Sequence, residues 1–173
     1  MSTTCRESRW AFNAIQVGQD GQIIKVGLSP HQHARIDRYI AALEAAASST
    51  VANPIFSQYF VKESVVPTLG EIVQAGNIEY GLCKSLHGEE SAVSAFRSCY
   101  SRRSAQTVVI GIIAGSPGNI ATPCGNCRDI MFDDFGTDFE IVSGAADGGE
   151  AIVAKMSDYL FSKFKTLSTT EIH

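Results

Sequence analysis

Four residues in two separated stretches constrain this chain more than any other feature. His87-Gly88-Glu89 forms the first stretch, and Pro123-Cys124-Gly125-Asn126-Cys127 the second. One imidazole and two thiols are ligand types that hold Zn²⁺, and three such ligands leave a fourth tetrahedral position for water. Glu89, two residues after the histidine, is placed to move protons without binding metal. A fold that uses this set must bring two distant segments onto one ion.

The local sequence indicates how. His87 to about Tyr100 has helical character, with Ala92, Val93, Ala95 and Phe96 available to pack. Thr122-Pro123 reads as a cap-plus-proline start for a helix to about Phe135. Both ligand sets then fall at helix N-termini, where backbone N–H groups and the helix dipole favour negative charge. That location is expected to lower the pKa of the two thiols. A Cys-x-x-Cys in the first helical turn lets both sulfurs face one ion. Neutral His87 and two thiolates leave a bound zinc acidic enough to activate water near neutral pH. Gly88 can present its backbone N–H to a substrate carbonyl. The H-x-E…P-C-x-x-C arrangement is the pattern of zinc enzymes that remove an amino group from a nucleobase. A closed structural zinc site is the alternative, but it has no use for Glu89.

The rest of the chain is consistent with one soluble domain. It has 173 residues, 45% hydrophobic and 18% charged, with a net charge of −4. No basic stripe suited to a phosphate backbone is present: Arg97, Arg102 and Arg103 read as a solvated helix end. No apolar run reaches a membrane span, and the polar N-terminus has no hydrophobic signal core, so a cytoplasmic protein is expected. Five cysteines without a secretion signal argue against a disulfide framework. Cys83 and Cys99 are expected as reduced core residues, and Cys5 as a free tail thiol. His31 and His33 read as exposed helix-end residues, and Ile130-Met131-Phe132 as core.

Residues 1–30 read as an N-terminal extension with a β-hairpin around Gly18–Gly21, and residues 31–173 as the zinc deaminase domain. Ser29, Pro30 and Gln32 form a capping box opening a helix in which Ile36, Tyr39, Ile40, Leu43 and Ala47 recur at helical spacing. Tyr59–Val66 reads as a strand and Glu71–Tyr80 as its hairpin partner. Thr107–Ile113 is the most apolar strand and is expected to be central. Phe139–Ala145 and Ala151–Lys155 are further strands, and a helix from Ser157 to about Phe164 closes the chain. The pattern is a layered α/β domain.

With these motifs in place, the sequence resembles the zinc-dependent cytidine deaminase family, in the branch acting on free nucleosides. Pro123-Cys124-Gly125-Asn126-Cys127-Arg128 matches that branch's P-C-G-x-C-R. Asn77-Ile78-Glu79 precedes His87 as an Asn-hydrophobic-Glu segment does there, and Ser57-Gln58-Tyr59-Phe60-Val61 is similar to its S-x-F-x-V. The resemblance covers roughly residues 35–165. It implies a three-layer α-β-α fold with a five-stranded mixed sheet, one zinc per chain, a place in pyrimidine nucleoside salvage, and a homo-oligomer (dimer or tetramer) with shared active sites. It also implies that Asn77 and Glu79 bond the ribose hydroxyls, that Tyr59 lies against the pyrimidine or sugar, and that Arg128 tempers the thiolate charge. The chain departs from the family in four places. Gly88 stands where Ala is usual, Tyr80-Gly81-Leu82-Cys83 replaces the usual Asn-Ala after Glu79, Asp129 stands where Gln is common, and residues 1–30 are additional.

Three functional readings remain open from the residues. The first is deamination of cytidine or deoxycytidine. The second keeps the chemistry but takes another amino-heterocycle, such as a nucleoside antibiotic or specialised metabolite. The third is a zinc-stabilised binding protein without turnover. The hydrophobic C-terminal run Tyr159-Leu160-Phe161 with Phe164 is the residue-level reason to expect an oligomer, the alternative being that these aromatics finish the chain's own core. A nucleic-acid-editing enzyme is disfavoured by the acidic balance.

Overall fold

The computed structural model describes residues 8–17, 22–81, 84–100, 108–114, 118–160 and 167–168. The chain opens with strands β1 (Trp10–Val17) and β2 (Ile23–Val26), followed by helices α1 (Pro30–His33) and α2 (Ile36–Ser48). Strands β3 (Val61–Val66), β4 (Val73–Gly76), β5 (Ile78–Tyr80) and β6 (Lys84–Leu86) lead to helix α3 (Gly88–Cys99). Then come β7 (Val109–Ala114), β8 (Asn119–Ile120), α4 (Gly125–Phe135), β9 (Glu140–Ala145), β10 (Gly149–Lys155), α5 (Met156–Leu160) and β11 (Leu167–Ser168).

Seven strands form the central sheet in the order β2-β1-β10-β9-β7-β3-β4. The expected five-stranded sheet is therefore corrected. The two added strands are β1 and β2, from the segment read as an extension. β1 runs parallel to β10, with Trp10 opposite Gly149 and Ala14 opposite Val153, and β2 pairs antiparallel with β1. Without β1, the outer edge of β10 would present unpaired backbone groups. Trp10 is 3% exposed and its indole N–H donates to the Ala145 carbonyl at 2.9 Å, so the added edge is locked by a side chain as well.

Strand alternation builds the layers. On β7, Ile110 and Ile112 face a core shared with Ala92, Val93 and Phe96 of α3, Met131 of α4 and Tyr159 of α5. Val109 and Ile113 face the opposite core, with Tyr39, Leu43 and Ala46 of α2. Helices thus cover both faces of a mixed sheet, and β7 lies between β3 and β9 as its apolar run requires. Gly111 marks a close approach of α2 to the sheet: a Cβ there would sit 2.5 Å from the Ala42 carbonyl oxygen.

Several local expectations meet a different tertiary outcome. The capping box at Ser29 forms, with Gln32 N–H donating to Ser29 Oγ and Ser29 N–H to Gln32 Oε1. The helix it opens is interrupted at Ala34–Arg35, giving two helices instead of one. Arg35 there pairs with the buried Glu140 carboxylate at 3.0 Å. The hairpin partner of β3 ends at Gly76: after Asn77, β5 leaves the main sheet and pairs antiparallel with β6. Cys99 and Phe132, expected as core, are exposed, whereas Met131 is fully buried. Of the two readings of Tyr159, an exposed oligomer contact or part of the chain's own core, the second holds: it is fully buried in the core that includes Met131 of α4. Cys5, Cys83, Arg102, Arg103, Phe161, Phe164 and the Gly18–Gly21 turn lie outside the described residues. Among the described residues, no helix is long and apolar enough to cross a membrane.

Candidate active site and metal centre

The departure of β5 and β6 from the sheet delivers the chain to His87. His87 is the N-cap of α3, with extended φ and ψ of −71° and 156°, and its carbonyl accepts from Ser91 N–H at 3.0 Å. Cys124 is the N-cap of α4, with φ and ψ of −71° and 169°, and Cys127 lies one turn on. Helix α4 therefore starts after Cys124 and not at Thr122-Pro123. Neither side chain makes a capping bond to the first-turn N–H groups of its helix, which leaves both to turn toward the gap between the helices.

There they meet. Cys124 Sγ and Cys127 Sγ are 3.2 Å apart, and His87 Nδ1 lies 3.3 Å from each. These three form the metal-competent group among the described residues. Tetrahedral zinc bonds of about 2.0–2.3 Å to nitrogen and sulfur span separations of about 3.5–3.8 Å, so the three atoms need to open by only a few tenths of an ångström to hold the ion. The electrostatics also fit a cation. Burial pushes the Cys127 thiol far up, and the neighbouring Glu89, Cys124 and Glu63 push it further. The expected lowering by the helix terminus is overridden by burial among acids; a divalent cation between the ligands reverses that balance, because a coordinating thiol is deprotonated outright. The residues present fit zinc.

Glu89, 6% exposed in the first turn of α3, lines a cavity of about 300 Å³ together with His87, Gly88 and Cys124. Tyr59, Asn77 and Glu79 line the same cavity. Partial burial, and then the Glu89 carboxylate, raise the Tyr59 hydroxyl's pKa. Asn77 and Glu79 have structural bonds of their own. Asn77 Oδ1 accepts from Val61 N–H at 2.9 Å, and its Nδ2 donates to the Tyr59 carbonyl at 2.8 Å. Glu79 Oε2 accepts from the N–H groups of Phe56 and Ser57, and bonds to Ser57 and Phe56 hold its carboxyl below the usual range.

Arg128 is buried behind the thiols. Its Nε donates to the Pro123 carbonyl at 2.8 Å and its Nη1 to the Tyr159 carbonyl at 2.7 Å, so it ties the Cys124 loop to α5. Sequence reasoning missed Glu63. It is fully buried on β3, and its pKa is raised well above the usual range by burial, then by Glu89 and Cys124. The signal was present in the strand period: Val61 and Val65 alternate inward toward α3, so the residue between them does too.

Among solved structures, the chain is similar to the cytidine deaminase of Burkholderia pseudomallei, at 22% identity and a TM-score of 0.61, over 79% of this chain and 100% of that one. The fold is that of the cytidine deaminases. The enzyme from Mycobacterium leprae is similar at 20% identity and a TM-score of 0.52, over 69% of this chain and 94% of that one. At these identities the likeness is one of fold. No family model and no curated protein matches the sequence.

Proposed function

We propose that this protein is a zinc-dependent hydrolase that deaminates a small amino-heterocycle, with a cytosine nucleoside as the first candidate. The observation that carries the reading is the convergence of His87 Nδ1, Cys124 Sγ and Cys127 Sγ to within 3.3 Å, with Glu89 buried in the same cavity. A closed structural site would have no role for that carboxylate.

His87, Cys124 and Cys127 hold the ion. Zinc bound there supplies Lewis acidity that makes water a nucleophile near neutral pH. Glu89 would accept the proton of the attacking water and deliver it to the ring nitrogen, then take the proton of the newly added hydroxyl and pass it to the departing amine. The C–N bond to the exocyclic amine breaks as the carbonyl forms, giving ammonia. Gly88, the first residue of α3, offers a helix-terminal N–H to the substrate carbonyl. Arg128 supports the thiolates from behind.

A second substrate reading rests on Asn77 and Glu79. In a ribose-binding role both would face the hydroxyls, yet each already bonds the backbone of residues 56–61. That favours testing heterocycles without ribose beside cytidine. The deciding experiment loads the protein with zinc and scores ammonia release from cytidine, deoxycytidine, cytosine, CMP, adenosine, guanine and blasticidin S. Release from cytidine or deoxycytidine supports the first candidate. Release only from another compound favours the second reading, and none from any compound overturns the deaminase assignment.

The deaminase domain is assigned to residues 31–173, with the strands of residues 1–30 added at its sheet edge. A homo-oligomer is part of the same proposal. Its support now shifts from Tyr159 to the exposed Phe56 and Phe60. Light scattering that gives an 18.6 kDa particle at micromolar concentration would reject it.

A further inference from the structure

The chain from Tyr59 to Lys62 walls two cavities. Its side chains alternate, as they do along any extended segment. Tyr59 and Val61 line the cavity of the His87–Cys124–Cys127 group, whereas Phe60 and Lys62 line a second cavity on the α2 side of the sheet. The second cavity has a volume of about 430 Å³, within the range of small-molecule sites. It lies where β7 and β9 end and β1 begins, so Ile113, Ala146 and Arg9 line it too.

Its charge is one-sided. Arg9 and Lys62 line it, and among the described residues no aspartate or glutamate does. The chain as a whole carries a net charge of −4. Neither cation is paired with a described carboxylate. Each is held by other contacts instead. The Arg9 guanidinium lies 4.1 Å from the centre of the Trp10 ring, and the Arg9 carbonyl accepts from Gly149 N–H at 2.9 Å. The Lys62 ammonium donates to the Ala47 carbonyl, in the last turn of α2, at 3.3 Å. That bond uses one of its three donors.

The position of Lys62 is unusual for its row. Lys62 sits opposite Ile113 of β7, and Ser64 and Val66 follow it on the face turned to α2. Both of those are buried, and Ser64 Oγ donates to the Ala42 carbonyl of α2 at 2.7 Å. An interior strand under a helix ordinarily continues such a row with an apolar residue. A cation at the C-terminus of α2 can serve as a cap. Capping gives no reason for Arg9, which has no hydrogen bond to α2, nor for the half-exposed Phe60 ring beside the two charges.

We propose that this cavity is a second ligand site, which takes a small organic anion: a phosphate monoester or carboxylate held by Arg9 and Lys62, with a planar or apolar group against the Phe60 ring. Arg offers a planar fork of N–H groups and Lys a compact charge, and both suit such oxyanions. The site lies on the opposite face of the sheet from the metal-competent group and does not depend on the deaminase reading.

The test uses the full-length, zinc-loaded protein with phenyl phosphate, benzoate, inorganic phosphate and phenol as probes. Calorimetry measures affinity, and amide chemical shifts locate the site. Phenyl phosphate or benzoate is expected to bind saturably, and the tighter of the two tells phosphate from carboxylate. Phenol is expected not to bind, inorganic phosphate to bind more weakly than phenyl phosphate, and affinity to fall as salt is raised. The shifts should centre on Arg9, Phe60, Lys62 and Ala146. Arg9→Gln and Lys62→Gln should each weaken binding by about tenfold or more, the usual weight of a charge-assisted hydrogen bond. Phe60→Ala should weaken phenyl phosphate and leave inorganic phosphate unchanged. Lys62→Gln also removes a bond to α2, so melting temperatures are measured alongside; Arg9→Gln breaks no such bond and carries the test if Lys62→Gln is unstable. No saturable binding of either organic anion would overturn the proposal. Binding that Arg9→Gln and Lys62→Gln leave unchanged, or shifts centred on His87 and Cys124, would overturn it too, by assigning the anion to the metal.

Discussion

His87 Nδ1 and Cys127 Sγ lie 3.3 Å apart although 40 positions separate them in the chain. Two helix N-termini, α3 and α4, meet end to end at that contact, and each contributes its cap residue to one ligand group.

The first prediction follows from that contact. The purified protein should carry about one zinc, with three protein ligands. Cys127→Ser and His87→Ala should each lose most of it by elemental analysis. Removing the metal with a chelator should lower the melting temperature, because a ligand bound only to the folded state stabilises it. A folded, as-isolated protein without metal would contradict the assignment.

Glu89→Gln should keep fold and zinc while losing activity by at least about 10²–10⁴-fold, the usual cost of losing general acid–base catalysis. Glu90→Gln is the control, since the next residue points about 100° around the helix. Steady-state kinetics on zinc-loaded samples separate the two outcomes. Near-parent turnover by Glu89→Gln would remove Glu89 from the mechanism.

Glu79 ties residues 56 and 57 to β5, and those bonds hold its carboxyl below the usual range. A carboxyl whose folded-state pKa is lowered contributes stability above its unfolded value of about 4.3, and loses it as pH falls through the folded value. Amide exchange at Phe56 and Ser57 should therefore accelerate, relative to the core, as the pH drops below about 4. Glu79→Ala should remove this pH dependence and speed exchange at both amides at neutral pH. No difference between parent and variant would show the contact to be without weight.

Trp10 is the only tryptophan, and it seals β1 onto the sheet. Trp10→Ala should cost about 3–5 kcal/mol, as for other large buried aromatics. In the parent, unfolding followed by tryptophan fluorescence should coincide with unfolding followed by far-ultraviolet circular dichroism. Separate transitions would show β1 to be a detachable addition.

Gly111→Ala should destabilise by about 1–3 kcal/mol. The added methyl meets the Ala42 carbonyl oxygen of α2 at 2.5 Å, so backbone must move. Denaturant melts measure the loss. A neutral result would mean that α2 slides freely over β7.

The parts of the fold legible in the sequence share a short range. The capping box of Ser29 and Gln32 needs only four consecutive residues, and the alternation within 109–114 and 140–145 is local too. The candidate ligands were legible because zinc accepts few donor types and the Cys-x-x-Cys spacing matches one helical turn. The start of α4 was misplaced because Thr122-Pro123 resembles a helix cap, whereas the cap position belongs to a ligand.

The sequence by itself singled out the candidate donor set His87, Cys124 and Cys127, the nearby Glu89 carboxyl and the helices that present them, since each depends on residue type and spacing within a turn or two. Tertiary structure decided the rest. Pairing of β1 with β10 joins residues about as far apart as the chain allows, and no local signal announces it. Burial of Tyr159 follows from where α5 docks, not from its apolar character. Glu63 reads as an ordinary polar position in a strand until the start of α3 is laid against it. Only then do the missing side chain of Gly88 and the buried Glu63 carboxyl come together, because close packing joins groups that the chain keeps apart.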